Sequence, residues 1–362
     1  SEQFLTLGAA FDHLDQTIDS TLSPISGAAP PAFTSRLEGT SQTLAAYSTY
    51  QFSTGDWKWL PGVRVEGYRR EVGSGALETD DTDVRAFPSL HIRNELTPRI
   101  NIDLSYSSRI QRPGFEQLDP ALRFNDANRA TSGNPNLEPM TTDAFEANLV
   151  YQNAGASFSV TFFDRITQDN WSQFTDVNGG GVIVTMPVNA GESEQRGLQA
   201  LLRGPLGENW RYSISGNVLN REFDYLGNTG LVRREAVEYD GIAQIDYRDA
   251  DQEAVGADQY QFEVRFQGPR HGLQSERSAF VTANFTWRRR LTSRLFGVLN
   301  VQDIFDSADQ VSEITTDDYY ERTEFDSPGT RLRLALTYQF GSGPQRPPQD
   351  QQQPGGPPVP QF

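Results

Sequence analysis

The stretch from Ser105 to Pro139, SYSSRIQRPGFEQLDPALRFNDANRATSGNPNLEP, is a run rich in Gly, Pro, Asn and Asp set between two segments of strand pattern. On its entering side Ile100, Ile102, Leu104 and Tyr106 alternate with Asn101, Asp103, Ser105 and Ser107. On its leaving side Phe145, Ala147, Leu149 and Tyr151 alternate with Glu146, Asn148 and Gln152. A period of two makes a strand with one apolar and one polar face. A connection of about thirty residues is far too long for a hairpin turn, and connections of that length inside a fold tend to carry function.

The alternation continues outward in both directions. Before the loop it predicts strands near residues 3–13 (Leu5, Leu7, Ala9, Phe11), 41–52 (Leu44, Ala46, Tyr50, Phe52), 57–70 and 84–95, with loops near 25 and 77, the second acidic through Glu78, Asp80, Asp81 and Asp83. After it come a strand carrying Phe158, Val160 and Phe162, an eighth running from Asn189 and Gly191 through Arg196-Gly197-Leu198-Gln199, and a ninth with Trp210, Tyr212, Ile214 and Val218. The interval 222–258 is the least regular; Tyr239, Ala243, Ile245 and Tyr247 predict a tenth strand, followed by a long turn at 249–253. Tyr260 to Gln267, Ala279 to Trp287 and a segment after Arg288-Arg289-Arg290 supply three more.

The final strand, Thr330 to Phe340, is the clearest: Leu332, Leu334, Leu336, Tyr338 and Phe340 face one way, Arg331, Arg333, Thr337 and Gln339 the other. A charge facing lipid near mid-bilayer costs roughly 2–4 kcal/mol, so arginines and a row of leucines share a strand only if its faces meet different solvents. The prediction is all-β, a transmembrane antiparallel up-and-down β-barrel with about fourteen strands in this chain. Short turns near 53, 97, 154, 205 and 291 alternate with long loops near 25, 77, 125, 175 and 315, the asymmetry of outer-membrane barrels, and the turn near 250 is the exception. Residues 1–340 form the barrel part; 341–362, rich in Pro, Gln and Gly, read as a disordered tail on the short-turn, periplasmic side.

Composition agrees. Hydrophobic residues make up 36% and mean hydropathy is -0.58, with no apolar run long enough for a transmembrane helix. A barrel hides from such averages, because only every second strand residue need be apolar. The net charge of -17 disfavours nucleic acid as a partner. Cysteine is absent, which argues against a disulfide scaffold or a thiolate metal site. No nucleophile elbow, phosphate loop, zinc spacing or cofactor fingerprint is present, and neither catalysis, a cofactor nor a metal is expected. His13, His91 and His271 lie scattered, and the pairs Asp80-Asp81 and Asp317-Asp318 read as solvated loop carboxylates.

Several motifs carry a resemblance. Arg109-Ile110-Gln111-Arg112-Pro113-Gly114-Phe115, then Leu118-Asp119-Pro120, then Gly133-Asn134-Pro135-Asn136-Leu137-Glu138-Pro139 is similar to a signature of TonB-dependent receptors, more closely their outer-membrane β-barrel family, with Asp119 where Asn is usual. Pro61-Gly62-Val63-Arg64-Val65-Glu66, after Ala45-Ala46-Tyr47, resembles a second motif of the same family. Asn189-x-Gly191 with Gly197-Leu198-Gln199 resembles a third, Gln199 replacing Glu, and Asp303-Ile304-Phe305-Asp306 a fourth. An aromatic residue ending the last strand, Phe340, resembles the outer-membrane assembly signal.

The resemblance implies a location in the bacterial outer membrane, contact with its lipid and lipopolysaccharide, and a 22-stranded barrel with a plugged lumen, so that this chain would hold the C-terminal part of the barrel. The chain opens almost directly in a strand, without a leader, which reads as either a mature N-terminus or, in line with the resemblance, a C-terminal piece of a longer protein. An N-terminal plug domain and a TonB-type inner-membrane partner are implied, with energised uptake of a small, scarce solute such as a metal chelate, an oligosaccharide or a peptide. A passive fourteen-stranded channel and a non-transporting structural barrel are the alternatives. Arg109, Arg112, Asn134 and Glu138 border the central loop and are candidates to meet a ligand above the lumen. The competing reading is that Pro113, Gly133, Pro135 and Pro139 simply fix the loop's path.

Overall fold

The computed structural model describes residues 3–22, 33–75, 77–227, 230–316 and 319–340. Fourteen antiparallel strands form one sheet in which each strand pairs with the wall strands before and after it in the chain. They are β1 (Phe4–Leu22), β2 (Phe33–Thr54), β3 (Trp57–Ser74), β4 (Leu77–Thr97), β5 (Ile100–Gln111), β6 (Met140–Asn153), β7 (Ala156–Gln168), β8 (Ser193–Pro205), β9 (Trp210–Gly227), β10 (Gly230–Arg248), β11 (Asp258–Gln267), β12 (Phe280–Arg290), β13 (Leu295–Gln302) and β14 (Arg331–Tyr338). Among the described residues no helix is long and apolar enough to cross a membrane; α1 (Phe115–Leu118) is a single turn.

Directly paired residues of an antiparallel ladder share a face, so the register carries each face from strand to strand. Phe11 pairs with Leu44, Leu44 with Gly67 and Gly67 with Val84, all on the outer side. Leu5, Leu7 and Phe11 at one end of the sheet and Leu332, Leu334 and Leu336 at the other are each more than half exposed, a skin that only hydrocarbon satisfies. The inner side carries Glu66, Tyr68 and Arg70 of β3, paired with Arg85, Asp83 and Asp81 of β4. Arg331 and Arg333 likewise fall on the inner face, opposite Gln302 and Asn300.

Aromatic rings mark the short-turn end of the outer face. Trp210, Tyr247, Tyr260 and Trp287 lie directly opposite one another across four strands. Neighbouring centroids are 4.9 Å (Trp210–Tyr247) and 5.6 Å (Tyr247–Tyr260) apart, and Phe52 stacks on Trp59 at 6.2 Å. Rings with one apolar edge and one wet edge settle at a membrane boundary.

Several predicted boundaries are corrected. β1 continues to Leu22 and β2 begins at Phe33, so residues 15–22 and 33–40, expected in a loop, pair with each other. The acidic loop near 77 is instead the tip of a β3–β4 hairpin, its carboxylates in ladder positions. Asp80 meets Arg69 at 3.3 Å and Asp81 meets Arg70 at 3.5 Å. These extensions rise past the lipid-facing band, where both faces are wet and apolar alternation stops while hydrogen bonding does not. Asn189 ends a loop strand rather than entering the wall, and β8 starts at Ser193. Asp317-Asp318 and the tail 341–362 lie outside the described residues.

β1 and β14 are the two ends of the sheet, and among the described residues they do not pair with each other. A closed fourteen-stranded barrel requires that pairing.

Candidate functional site

At the long-loop end the connections fold over the inner face of the wall. The β5–β6 loop is the most deeply seated. Its helix α1 and Leu137 bury Phe115, Leu118 and Leu137 against Leu37 of β2 and Val72 of β3, with Ile18 and Trp171 at the margin. Gly39 is required there: a Cβ on it would lie 2.5 Å from the Phe115 ring. Gly133 is required as well, because a Cβ would sit 2.6 Å from the backbone nitrogen of Asp119. The close approach lets Gly133 N–H donate to the Asp119 carbonyl (2.7 Å) and Asn134 N–H to that of Gln117 (2.7 Å).

Beneath this apolar seat lies an ion network. Glu66, 8% exposed, accepts from Arg64 Nε (2.6 Å) and from Arg112 Nη1 (2.7 Å). Arg112 also reaches Asp83 (3.4 Å) and lies over the Tyr68 ring, 4.2 Å from its centroid. Asp83 in turn pairs with Arg85 at 3.0 Å. A buried carboxylate tolerates low-dielectric surroundings only with its oxygens engaged, and here both are. Arg64 and Glu66 belong to one sequence motif and Arg112 to another, so two separate signatures are the two halves of one clamp.

The third motif works the same way. Asn189 Oδ1 accepts from Glu138 N–H (2.9 Å), and its Nδ2 donates to the carbonyls of Glu138 (3.1 Å) and Asp169 (2.9 Å). Trp171 Nε1 donates to the same Glu138 carbonyl (2.7 Å). The fourth motif's Asp303 accepts from the N–H groups of Ser307 (3.1 Å) and Ala308 (3.2 Å) and from Ser327 Oγ (3.1 Å).

A second clamp holds the β11–β12 loop. Glu238 of β10, 6% exposed, accepts from Arg270 Nη1 (2.6 Å), while Arg270 Nη2 donates to Asp240 (2.6 Å). Arg221 and Arg234, on the wall, donate to the carbonyls of His271 (3.4 Å) and Gly272 (3.2 Å).

The four longer connections pair into two small sheets over the inner face. One joins 123–124 and 129–131 of the β5–β6 loop to 171–177 and 183–189 of the β7–β8 loop. The other joins 270–271 and 275–277 of the β11–β12 loop to 310–315 and 320–325 of the β13–β14 loop. They meet where Gln274 pairs with the backbone of Thr175, its Oε1 accepting from the N–H (2.7 Å) and its Nε2 donating to the carbonyl (3.2 Å). They meet again where Arg129 pairs with Glu321 at 2.7 Å. A hydrogen bond from the Tyr319 hydroxyl, helped by Arg129, keeps the Glu321 carboxyl below its ordinary pKa, although burial pulls the other way.

Of the four residues singled out from sequence, Arg112 is committed to Glu66 and Asp83. Asn134 is tied to the loop, its Nδ2 donating to the Pro187 carbonyl (3.1 Å) and its Oδ1 accepting from Asn136 N–H (3.0 Å). Arg109 lies exposed on the inner face opposite Thr142, and the Glu138 side chain is exposed while its backbone is bracketed. Glu66 and Arg64 stood in a quoted motif without being picked out. Glu238, Arg270, Gln274 and Glu321 had no local signal, since none falls in a patterned segment.

A wall with an apolar outer skin, a charged inner face, an aromatic belt at one rim and loops folded across the other defines an outer-membrane β-barrel. The chain belongs to the outer membrane protein beta-barrel family, whose model matches residues 7–338, and its place is the bacterial outer membrane. Among solved structures it is similar to the ferric yersiniabactin uptake receptor of Yersinia pestis, at 16% identity and TM-score 0.67 over 94% of this chain and 51% of that one. It is similar to a copper transporter at 10% identity and TM-score 0.67 over 94% of this chain and 55% of that one. The ferric-catecholate import receptor of E. coli K12 matches at 16% identity and TM-score 0.65, over 93% and 52%. The chain thus spans about half the length of the solved structures it matches. No curated protein matches it by sequence.

Proposed function

We propose that this wall forms part of a larger, plugged barrel that imports a scarce solute, with a metal chelate as the first candidate ahead of an oligosaccharide or a peptide. The observation that carries the proposal is the covered inner face: two clamped loops and two small sheets lie over one end of the bore, an arrangement suited to selective capture and poorly suited to free diffusion. The edges of β1 and β14, which among the described residues do not pair with each other, speak in the same direction, against a closed fourteen-stranded channel. Uptake receptors and a metal transporter among the similar folds favour the chelate. In this reading Arg109 and the Glu138 carboxylate, exposed among largely paired charges, are available to a solute. A plug domain and a TonB-type energy donor complete the machine, and no covalent chemistry falls to this chain.

The test is growth of a deletion strain on a panel of ferric chelates, copper, oligosaccharides and peptides, each as the limiting source. Loss of growth on one source, with uptake of that labelled source by wild-type cells halted when the proton gradient is collapsed, is the expected outcome. Uptake that persists without the gradient points to a passive channel, and a deletion without any uptake defect overturns the proposal.

A further inference from the structure

The covering over the bore is built from two pieces with different owners. The first small sheet hangs from β5 to β8 and is fixed there by the Asn189 bracket and by Asn134 on Pro187. The second hangs from β11 to β14. Arg270 on Glu238 and Asp240 fixes it to the wall, and Ser278 N–H on the Val311 carbonyl (2.8 Å) joins its two loops. Each piece is thus anchored to its own stretch of wall without help from the other.

What crosses between them is slight and of a different kind. Gln274 imitates a β-strand partner at the free edge of strand 171–177, supplying one acceptor and one donor to Thr175, while its own backbone carbonyl accepts from Thr315 N–H (2.9 Å) within the second sheet. Its side chain is therefore the strut and its backbone the hinge post. The Arg129–Glu321 pair is the second crossing, with the Arg129 side chain 46% exposed. Thr175 is itself buried and the Glu321 side chain is 18% exposed, but among the described residues no buried carboxylate and no cluster of buried apolar side chains backs either crossing. Water can replace a neutral hydrogen bond or an exposed ion pair at small net cost, whereas it cannot replace a buried apolar seat.

We propose that the line through Gln274–Thr175 and Arg129–Glu321 is a latch, and that the two sheets part along it to admit solute while the β5–β6 loop stays seated on β2 and β3. Gln274 is the principal latch residue and Glu321 the second. This rests on the reading of the wall as an import route, but its tests use no solute, so a wrong latch and a wrong transport reading give different results.

These 362 residues contain no cysteine, so an introduced thiol is the only one they present. Ser107→Cys places a thiol on the inner face of β5, opposite Ser89. Its reaction with a membrane-impermeant fluorescein maleimide added to intact cells is compared in three backgrounds: unaltered, Gln274→Ala with Glu321→Gln, and Gln173→Ala as a control on the same edge strand. The latch variant should label faster by on the order of ten-fold, the loss expected for a few bonds of modest net worth, and the control should match the unaltered protein. In parallel, paired spin labels on the exposed Gln173 and Arg322 positions should give one narrow distance in the unaltered protein and a second, longer population in the latch variant. If the double variant does not assemble, Glu321→Gln alone is measured, with a smaller rise expected. Labelling rates equal in all backgrounds, or a single unchanged distance, overturn the latch.

Discussion

The β5–β6 loop and the boundary between the two small sheets both lie over the same bore, yet they are held by opposite means. The loop rests on a buried glutamate with both oxygens engaged and on five buried apolar side chains. The boundary has one amide strut and one ion pair whose arginine is half-exposed. Buried charge and apolar packing make a contact that is costly to break even briefly, since opening exposes apolar area and leaves charges without partners. Polar contacts with no apolar packing behind them can exchange with water. The difference assigns permanence to the loop and opening to the boundary.

Removing one partner of a buried ion pair is the harshest way to break the contrast. Arg112→Leu leaves Glu66 with a single arginine and should loosen the loop by about 3–5 kcal/mol, seen as loss of hydrogen-exchange protection at the Gly133 and Asn134 amides. Protection unchanged from wild type would remove the distinction between the two regions. Leu118→Ala should cost about 2–5 kcal/mol through the cavity it opens, with faster proteolysis within 112–139 as the readout. Gly39→Ala, which pushes a methyl into the Phe115 ring, should cost about 1–3 kcal/mol, and Phe115→Leu in the same chain should recover part of it.

The boundary should respond least. Glu321→Gln is expected to shift stability by about 0–1 kcal/mol while still changing the labelling of Ser107→Cys. Because the folded Glu321 carboxyl lies below its usual value near 4.5, its contribution is fully present above that value. It is lost only as pH falls through the lower folded value, with Tyr319, Arg129 and, 3.8 Å from Arg129, Asp126 as its charged or titrating surroundings. Inter-sheet spin-label distances should therefore hold steady from neutral pH to about 4.5 and lengthen only below it. Lengthening that begins near pH 6 would show that another group controls the boundary.

The wall was legible because lipid imposes alternation on every strand it touches, so that Leu332, Leu334 and Leu336 announce their face unaided. Where the same strands leave the lipid, as in residues 15–22 and 33–40, both faces meet water and the pattern vanishes while the ladder persists. The loop strands 171–177 and 310–315 are short and wet on at least one side, which leaves nothing periodic to find. The motif residues were visible individually, but their partnership was not. Glu66 and Arg112 are 46 positions apart, and no local rule joins them. Proline and glycine positions predicted that the central loop had a fixed course, which agrees with Gly133 and its close neighbours; they did not predict that it folds inward.

The aromatic belt has a practical consequence. Of the five tryptophans, Trp57, Trp59, Trp210 and Trp287 belong to the outer face at the short-turn rim, whereas Trp171 is tied by its indole N–H to the Glu138 carbonyl. Brominated acyl chains should dim the emission of the first four and leave that of Trp171 bright. The protein thus carries its own pair of optical probes, one for depth of insertion and one for the state of its mouth.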